Sequence, residues 1–493
     1  MHKIFKAIPT IALAALTVAA APALAQMGGG GGMGGMGGGG QMGGGRGGGM
    51  GGHHRGGGQR GPGGAGGQGG GQQGPLLPPA TIPLAMRLTG VVVVVGESKA
   101  LSHGPLVTDK PDTSALFVSR GGQATLDTVQ VESHGAASLL SDTRGSGINS
   151  ALLVNDGSSA TVTGGSIATT GQGGDGAYAD GLGSRLALQG TAIGTVASGA
   201  YGLEINRGAT LEAKDLTVTT GSDHAPAIGG EGGGAIALSG GNYTTGGPGS
   251  PVLMIGGDLT ATGITGQAAR SDGLTLTGTH TISLSDSTLS ADGYAVALGG
   301  DEVAAATPGA GGMVPGEAML AQPAGEGSRI TIDGGRLSGR TAVFSVSNTR
   351  AHIVLSNVAL ASEDGVLVRA AAGTTGTLGR NGGVAVVDAQ GETLDGNMAA
   401  DVISSIRLNL TAGSHFTGTA THRVDVALDG TSDWVLTGDS GVGALTIDGV
   451  SDPGQITRID SQGHTLSYDE TRNPWLGGKT WPLKGGGSLV PGI

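Results

Sequence analysis

The sequence predicts an all-β protein whose main body is a right-handed, single-stranded parallel β-helix (a solenoid), preceded by a disordered glycine-rich segment. In residues 200–221, aliphatic and polar residues alternate in three short runs, which is the period of a half-buried strand. Similar patterns of alternating residues recur at 114–131, 150–167 and 341–360. Each unit of roughly 20 to 26 residues has three strands and three turns, which is typical of one coil.

The composition suits such a column better than a globular core. Of the 493 residues, 105 are Gly and only 2 % are aromatic. A coil buries a few aliphatic side chains against the coils above and below it, about 4.8 Å away, so small residues suffice. We expect roughly 14 to 17 coils and a rod on the order of 70–80 Å long. The residues expected to face the core include Leu116, Val118, Leu152, Val154, Leu203, Ile205, Leu211, Val296, Ile353 and Leu355.

Charge and cysteine content exclude several functions. The net charge of -12 makes nucleic acid an unfavourable partner. The chain has no Cys, which excludes disulfides and thiolate metal sites and is common in exported bacterial proteins. No motif indicates a cofactor, so we expect none.

Residues 1–25 have the parts of a secretory signal peptide: a basic start, an apolar run over 8–21 and small residues at 23–25. An uncleaved membrane anchor is the alternative, but the run is too short and ends in the cleavage motif. No other stretch is long and apolar enough to span a membrane as a helix. We predict a mature chain beginning at Gln26 and exported to the periplasm, the cell surface or the medium.

Residues 26–80 form a low-complexity linker rich in Gly and Met. It can bury too little apolar area to offset its chain entropy, so we expect disorder. Several of its side chains could offer soft ligands to Cu(I): Met33, Met36, Met42, Met50, His53 and His54. A flexible spacer is the alternative, favoured because no rigid scaffold orients those ligands.

Residues 81–411 should form most of the coils. Residues 91–95 are five consecutive Val, typical of a buried strand in the first coil or in a cap over the open end of the solenoid. Three Gly-, Ala- or Pro-rich segments should leave the column as loops, namely 135–149, 222–234 and 301–327. Asn155, Asn206 and Asn348 each follow the first strand of a coil, and we interpret them as turn residues rather than ligand contacts.

Residues 412–493 should hold the last coils and a cap, because all three Trp residues lie here: Trp434, Trp475 and Trp481. The coil pattern, and above all the run 432–449, resembles autotransporter passenger domains of the pectin-lyase-like right-handed β-helix superfamily. The resemblance covers roughly residues 90–485 and implies C-terminal coils that stabilise and nucleate the helix, with Trp434 among them. A translocating β-barrel needs many strands of about ten residues, and none is recognised, so we do not expect self-transport.

The resemblance also raises the alternative of a polysaccharide lyase or glycoside hydrolase, which would need carboxylates on one sheet face. The acids are instead scattered among corners and loops: Asp127, Asp156, Asp215, Asp286 and Asp364. Arg120 and Arg207 occupy matching corners, with Asp156 at a similar one. This column could be a ladder of salt bridges or a site.

Three further motifs are weak. Residues 173–178 begin like a calcium-binding repeat, but Tyr178 stands where the ligand Asp is required. Ser-His-Gly occurs at 102–104 and 133–135, and the sequence places no acid to orient either His. Tyr178, Tyr201 and Tyr294 could stack on one face and bind sugar, or could pack at corners between coils.

We therefore assign no catalytic, cofactor-binding or metal-binding residue from the sequence. The expected function is that of a non-enzymatic adhesin or extracellular scaffold, whose partner is a polysaccharide or a cell surface. Cleavage of acidic polysaccharides by the purified protein would distinguish the enzymatic alternative.

Overall fold

The computed structural model describes residues 83–143, 145–300 and 327–492. They form a parallel β-solenoid of about 15 turns with almost no helix. The predicted fold class is confirmed. The predicted signal peptide, the linker with its Met and His residues and nearly all of the 301–327 segment lie outside the described residues.

Three long sheets run along the solenoid, and through most of its length each coil adds one strand to each sheet in turn. Sheet 1 has 12 strands: Gly90–Val95, Ser114–Ser119, Leu152–Val154, Ala177–Asp180, Leu203–Asn206, Ile228–Glu231, Leu253–Ile255, Leu274–Thr277, Tyr294–Gly299, Ala342–Ser347, Val366–Ala371 and Asn397–Ala400. Sheet 2 has 14 strands: Ser98–Ser102, Gln123–Asp127, Ser159–Thr163, Arg185–Gln189, Thr210–Lys214, Ala235–Ser239, Asp258–Thr262, Thr281–Ser285, Ser328–Asp333, Arg350–Ser356, Val384–Gln390, Ser405–Thr411, Val424–Leu428 and Leu445–Ile447. Sheet 3 has 10 strands: Pro105–Thr108, Gln130–Ser133, Ser166–Thr169, Ala192–Thr195, Thr217–Thr220, Asn242–Thr245, Thr265–Ala268, Thr288–Ala291, Arg336–Gly339 and Ala359–Ser362.

Two smaller sheets continue the stack at the C-terminal end. Sheet 4 comprises Thr393–Asp395, His415–Thr417, Asp433–Val435 and Ile459–Asp460. Sheet 5 comprises Ser440–Val442, Thr465–Tyr468, Ser488–Pro491 and Trp481–Pro482, the last two being antiparallel. The short helical segments are an α-helical turn at Leu84–Arg87 and 3-10 turns at Leu140–Asp142, Pro453–Gln455 and Pro474–Leu476. Among the described residues, no helix is long and apolar enough to cross a membrane.

The core lies between the sheets because strand periodicity and register act together. All ten residues predicted to face inward are at most 1 % exposed. In sheet 1, Leu203 pairs with Ala177 on one side and Ile228 on the other, so buried positions stack directly from coil to coil. A slip of one residue would turn every one of these side chains outward, which is why the alternation specifies the register.

Left-handed backbone at the corner after sheet 1 turns the chain toward sheet 2. Arg120, Asp156 and Arg207 have φ values of 53°, 51° and 47° at this corner, and Asn348 has 50°. The turn prediction is therefore right for Asn348. Asn155 and Asn206 instead lie one residue before the left-handed position, and Asn206 is the last residue of its strand.

Two sequence predictions need correction. The valine run forms a strand, but Val91, Val93 and Val95 are 53 %, 42 % and 44 % exposed, because only one face of this strand meets the core. The segment 222–234 is not a loop, since Ile228–Glu231 is a strand of sheet 1. A Cβ atom at Gly229 would lie 2.3 Å from the Tyr201 ring, so the glycine leaves room for an aromatic ring instead of marking a loop.

The predicted 135–149 loop does leave the column, and we call it the cover loop. It follows a strand of sheet 3 and crosses the outer face of sheet 1. Tyr178 points outward, since Ala177 and Ala179 on either side of it belong to the core, yet it is fully buried. Gly147 lies directly against its ring.

Candidate functional site

Two cavities are each lined by residues of the cover loop and of neighbouring coils. The acidic cavity measures about 320 Å³ and includes Leu140 and Thr143 of the cover loop with Asp175, Tyr201 and Glu204. The arginine cavity measures about 480 Å³. Its polar lining includes Ser119, Arg120, Ser146, Asn155, Asp156, Asp180 and Arg207, and its apolar lining includes Leu84, Leu88, Val95 and Phe117.

Asp175 is the most perturbed carboxyl group of the acidic cavity. It is 3 % exposed, and it accepts hydrogen bonds from the Tyr201 backbone N–H at 2.9 Å and the Ser150 hydroxyl at 3.3 Å. Burial raises the pKa of Asp175 to about 7, and the hydrogen bonds from Tyr201, Ser150 and the Glu204 carboxyl group only partly oppose this shift. Asp175 and Glu204 therefore form a pair of buried acids that can share a proton.

A second aspartate shows that this arrangement serves the fold. Asp272 accepts a hydrogen bond from the Tyr294 backbone N–H at 2.8 Å, as Asp175 does from Tyr201, and burial raises its pKa too. Both aspartates therefore hold the start of the following coil. Hydrolysis needs two carboxyl groups that reach either side of the scissile bond. Both oxygens of Asp175 are occupied within the protein and are almost closed to solvent.

Tyr178 lies beside residues of both cavities. It pairs in register with Glu204 and lies two residues before Asp180 on its own strand. Burial, then the Glu204 and Asp180 carboxylates, raise the pKa of Tyr178 far above its usual range. Its hydroxyl has no hydrogen-bond partner of good geometry among the described residues, although the Asn206 side chain is close enough to favour the phenolate slightly.

The arginine cavity contains the corner column predicted from the sequence, namely Arg120, Asp156 and Arg207. Some groups of this column are paired as in a salt-bridge ladder, and others are unpaired within the described residues. Arg207 Nε donates to Asp180 Oδ1 at 2.7 Å, and the Ser119 hydroxyl donates to Asp156 Oδ2 at 3.0 Å. Arg120 is exposed, and its guanidinium forms no hydrogen bond or ion pair with any described residue. Asn155 is 9 % exposed, and its Oδ1 accepts no hydrogen bond in the described part of the chain.

The remaining sequence candidates separate in space. Asp156, Asp215 and Asp286 occupy left-handed corners, so their positions follow from turn geometry. Tyr201 lies two residues before the sheet 1 strand that neighbours the Tyr178 strand, and Tyr294 begins a strand farther along the sheet; among the described residues neither ring stacks on Tyr178. Corner packing is therefore the role the structure supports. In the described ranges, no group of three or more His, Asp or Glu is placed to hold a metal ion.

One of the two Ser-His-Gly motifs has an acid that the sequence did not reveal. His134 Nδ1 lies 2.9 Å from Asp109 Oδ1, and its Nε2 lies 3.4 Å from Glu132 Oε2. The neighbouring Ser133 is buried and donates its hydroxyl to the Asn149 carbonyl oxygen at 3.4 Å. Ser133 therefore points away from His134, and the two do not form a hydrolytic pair.

The outer face of sheet 2 has a different character. Its side chains stack in strict register, and one column, the polar row, runs through five coils. The polar row consists of Thr163, Gln189, Lys214, Ser239 and Thr262, all exposed. Four residues of the row, Thr163, Gln189, Lys214 and Ser239, also line a shallow groove of about 410 Å³, together with other residues of the same strands. This surface is open and repetitive, unlike the two cavities.

The sequence did not single out Asp175, Asp180 or Glu204. Tyr178 and Glu204 are 26 residues apart and Asp180 and Asn206 likewise, and both pairs are in register. Aligning the chain by this period could have brought these residues together. Their burial could not have been found that way, because it depends on the cover loop.

The fold and the site define a class by architecture alone, a parallel β-solenoid with a loop folded over one sheet. No protein-family model and no curated protein matches this chain.

Proposed function

We propose that this protein is an exported, non-enzymatic solenoid that binds extended polysaccharide or a cell surface, as an adhesin or extracellular scaffold. The observation that carries the proposal is the polar row on sheet 2. Such a row offers the same kind of contact again and again at the coil spacing of about 4.8 Å. An extended polymer also repeats, so it can engage several coils at once.

The energetics favour binding by many weak contacts. A hydrogen bond exchanged for one with water contributes only about 0.5–1.5 kcal/mol. Linked contacts along one polymer strengthen binding through effective concentration without a deep pocket. The resemblance to autotransporter passenger domains and the signal-peptide pattern support a role outside the cytoplasm.

The polar row can be tested with matched variants of the mature protein. Replacing Thr163, Ser239 and Thr262 with Ala removes three hydroxyls from the row. The control replaces Thr217, Thr219 and Thr265, which are exposed on sheet 3, with Ala. We expect the row variant alone to lose about tenfold or more of its retention on immobilised polysaccharides. Equal retention of the wild type and both variants would contradict the proposal.

A polysaccharide hydrolase is the second candidate, favoured by the buried acid pair Asp175 and Glu204. Its test is the release of reducing or unsaturated ends from pectin, alginate and neutral glucans. If the wild type releases such ends, and Glu204→Gln abolishes the release but still binds the polysaccharide, the hydrolase proposal would replace the adhesin proposal. If none of these polysaccharides releases new ends, the binding function stands as the proposal.

A further inference from the structure

We infer that the arginine cavity binds one neutral sugar unit, with its hydroxyls on Arg120 and Asp156 and its ring on the apolar wall. The inference rests on the proposed carbohydrate-binding function, but it concerns a different surface from the polar row. It names the class of sugar and adds a specific contact to a protein otherwise expected to bind by repetition.

The charges of the cavity favour an uncharged ligand. Arg207 is neutralised by Asp180 through a hydrogen bond of 2.7 Å. Arg120 has no ionic partner among the described residues, and Asp156 accepts only from the neutral Ser119 hydroxyl. Among the described residues that line the cavity, one cation and one anion therefore remain. An anionic sugar would gain from Arg120 and be repelled by Asp156, whereas a hydroxyl can accept from the first and donate to the second.

A hydroxyl group matches this pair of charges better than a charged group does. A sugar hydroxyl donates and accepts, whereas a carboxylate or sulfate only accepts.

The opposite wall and the size of the cavity complete the match. Phe117 is half-buried on the outer face of sheet 1, with Val95 and Leu88 also lining the cavity. A pyranose has an apolar face of C–H groups that packs on such a surface. The cavity of about 480 Å³ lies within the range of about 300–1,000 Å³ common for small-molecule sites.

The test uses the full mature protein and a panel of short neutral and acidic oligosaccharides, with binding measured by calorimetry. We expect at least one neutral oligosaccharide to bind, with little change in affinity as salt is raised, since no net charge is neutralised. Arg120→Gln and Asp156→Asn should each weaken binding about tenfold, since each loses a charge-assisted hydrogen bond. The control Arg336→Gln, an exposed arginine on sheet 3, should bind as the wild type does.

A second measurement needs no variant. Phenylglyoxal modifies exposed arginines, and the bound oligosaccharide should protect Arg120 but not Arg336, as read by mass spectrometry. Binding of acidic oligosaccharides alone, with a steep salt dependence, would overturn the inference, and so would equal protection of both arginines.

The two proposals can fail separately. The sheet 2 variant that lacks three hydroxyls should still bind the short oligosaccharide, because the arginine cavity is intact. Absence of neutral oligosaccharide binding together with retention on polymers would reject the cavity and keep the polar row. If the wild type neither binds neutral oligosaccharides nor is retained on polysaccharides, the carbohydrate-binding function would be rejected altogether.

Discussion

Two single residues allow specific predictions about stability, and the first is the buried acid Asp175. Its pKa is raised to about 7 by burial, against an ordinary value of 3.8. Below about pH 4 the group is protonated in both the folded and the unfolded chain. As the pH rises toward 7 the unfolded chain releases this proton first, so the free energy of unfolding should fall over that window and then level off.

Asp175→Asn should flatten that part of the pH dependence. The amide oxygen can still accept from the Tyr201 N–H, but it carries no titrating proton. The measurement is the melting temperature of the variant and the wild type between about pH 4 and 8. Asp395→Asn, at an exposed position, is the control and should leave the wild-type slope intact. A slope that Asp175→Asn does not change would show that Asp175 is already ionised in the folded protein.

The second residue is Trp434, which is fully buried in sheet 4. Its ring stacks on Phe416 with centroids 5.4 Å apart, and its indole N–H donates to the Gly418 carbonyl oxygen at 3.0 Å. Trp434→Ala should lower the free energy of unfolding by about 3–5 kcal/mol, because it leaves a large void among the last coils. Denaturant unfolding measures this.

Trp434→Phe separates packing from the hydrogen bond. It keeps an aromatic ring beside Phe416 and leaves the Gly418 carbonyl without its donor, so its cost should be smaller, about 1–3 kcal/mol. Equal costs for both variants would mean that the hydrogen bond, not the stacking, dominates.

At the scale of elements, the cover loop decides what the outer face of sheet 1 exposes. Gly147 has a φ of +65°, and a Cβ atom there would lie 2.2 Å from Tyr178 Cδ1. Gly157 has a φ of +68° with no atom near its Cβ position. Replacing either glycine with Ala would therefore introduce the same backbone strain, and only the change at Gly147 would also press a Cβ atom against Tyr178 and Leu153.

Gly147→Ala should displace the cover loop and expose Tyr178, whereas Gly157→Ala should cost only the backbone strain of about 1 kcal/mol. Tyrosine nitration followed by peptide mass spectrometry measures the exposure. Tyr178 should be protected in the wild type and in Gly157→Ala, and modified in Gly147→Ala. Protection in all three proteins would mean that the loop can shift without uncovering the ring.

For the solenoid as a whole, stability should be transmitted mainly from coil to coil. Leu203 is fully buried between Ala177 and Ile228, whereas Leu182 is 88 % exposed. Leu203→Ala should cost about 2–5 kcal/mol and Leu182→Ala less than about 0.5 kcal/mol. Because each coil contacts only its neighbours, amide exchange should rise most in Ala177–Asp180 and Ile228–Glu231.

The distant strand Val424–Leu428 provides the internal comparison for this experiment. A uniform rise in exchange, including that strand, would show that the stack unfolds as one cooperative unit instead of coil by coil.

Periodicity along the chain is enough to predict the column and its interior. The alternation of Leu203 and Ile205 with polar residues predicts the inward face, and the recurrence of the unit predicts stacking in register. Both are local properties with a fixed period, so they can be counted along the chain. The five-valine run shows the limit, because composition predicts a strand without showing which face is covered.

Which outward residues are buried or line a cavity depends instead on the tertiary structure. Tyr178, Asp180 and Glu204 all point away from the core by the same alternation that leaves Thr217 in solvent. Tyr178 is buried because Gly147 of the cover loop, 31 residues earlier, lies against its ring, and residues of the same loop line the cavities beside Glu204 and Asp180. Corner geometry likewise placed Arg120 without an ionic partner in the described part of the chain, while Arg207 pairs with Asp180. Strand periodicity determines the direction in which a side chain points. Its surroundings depend on segments that are remote in the chain, and no local sequence pattern predicts where those segments pack.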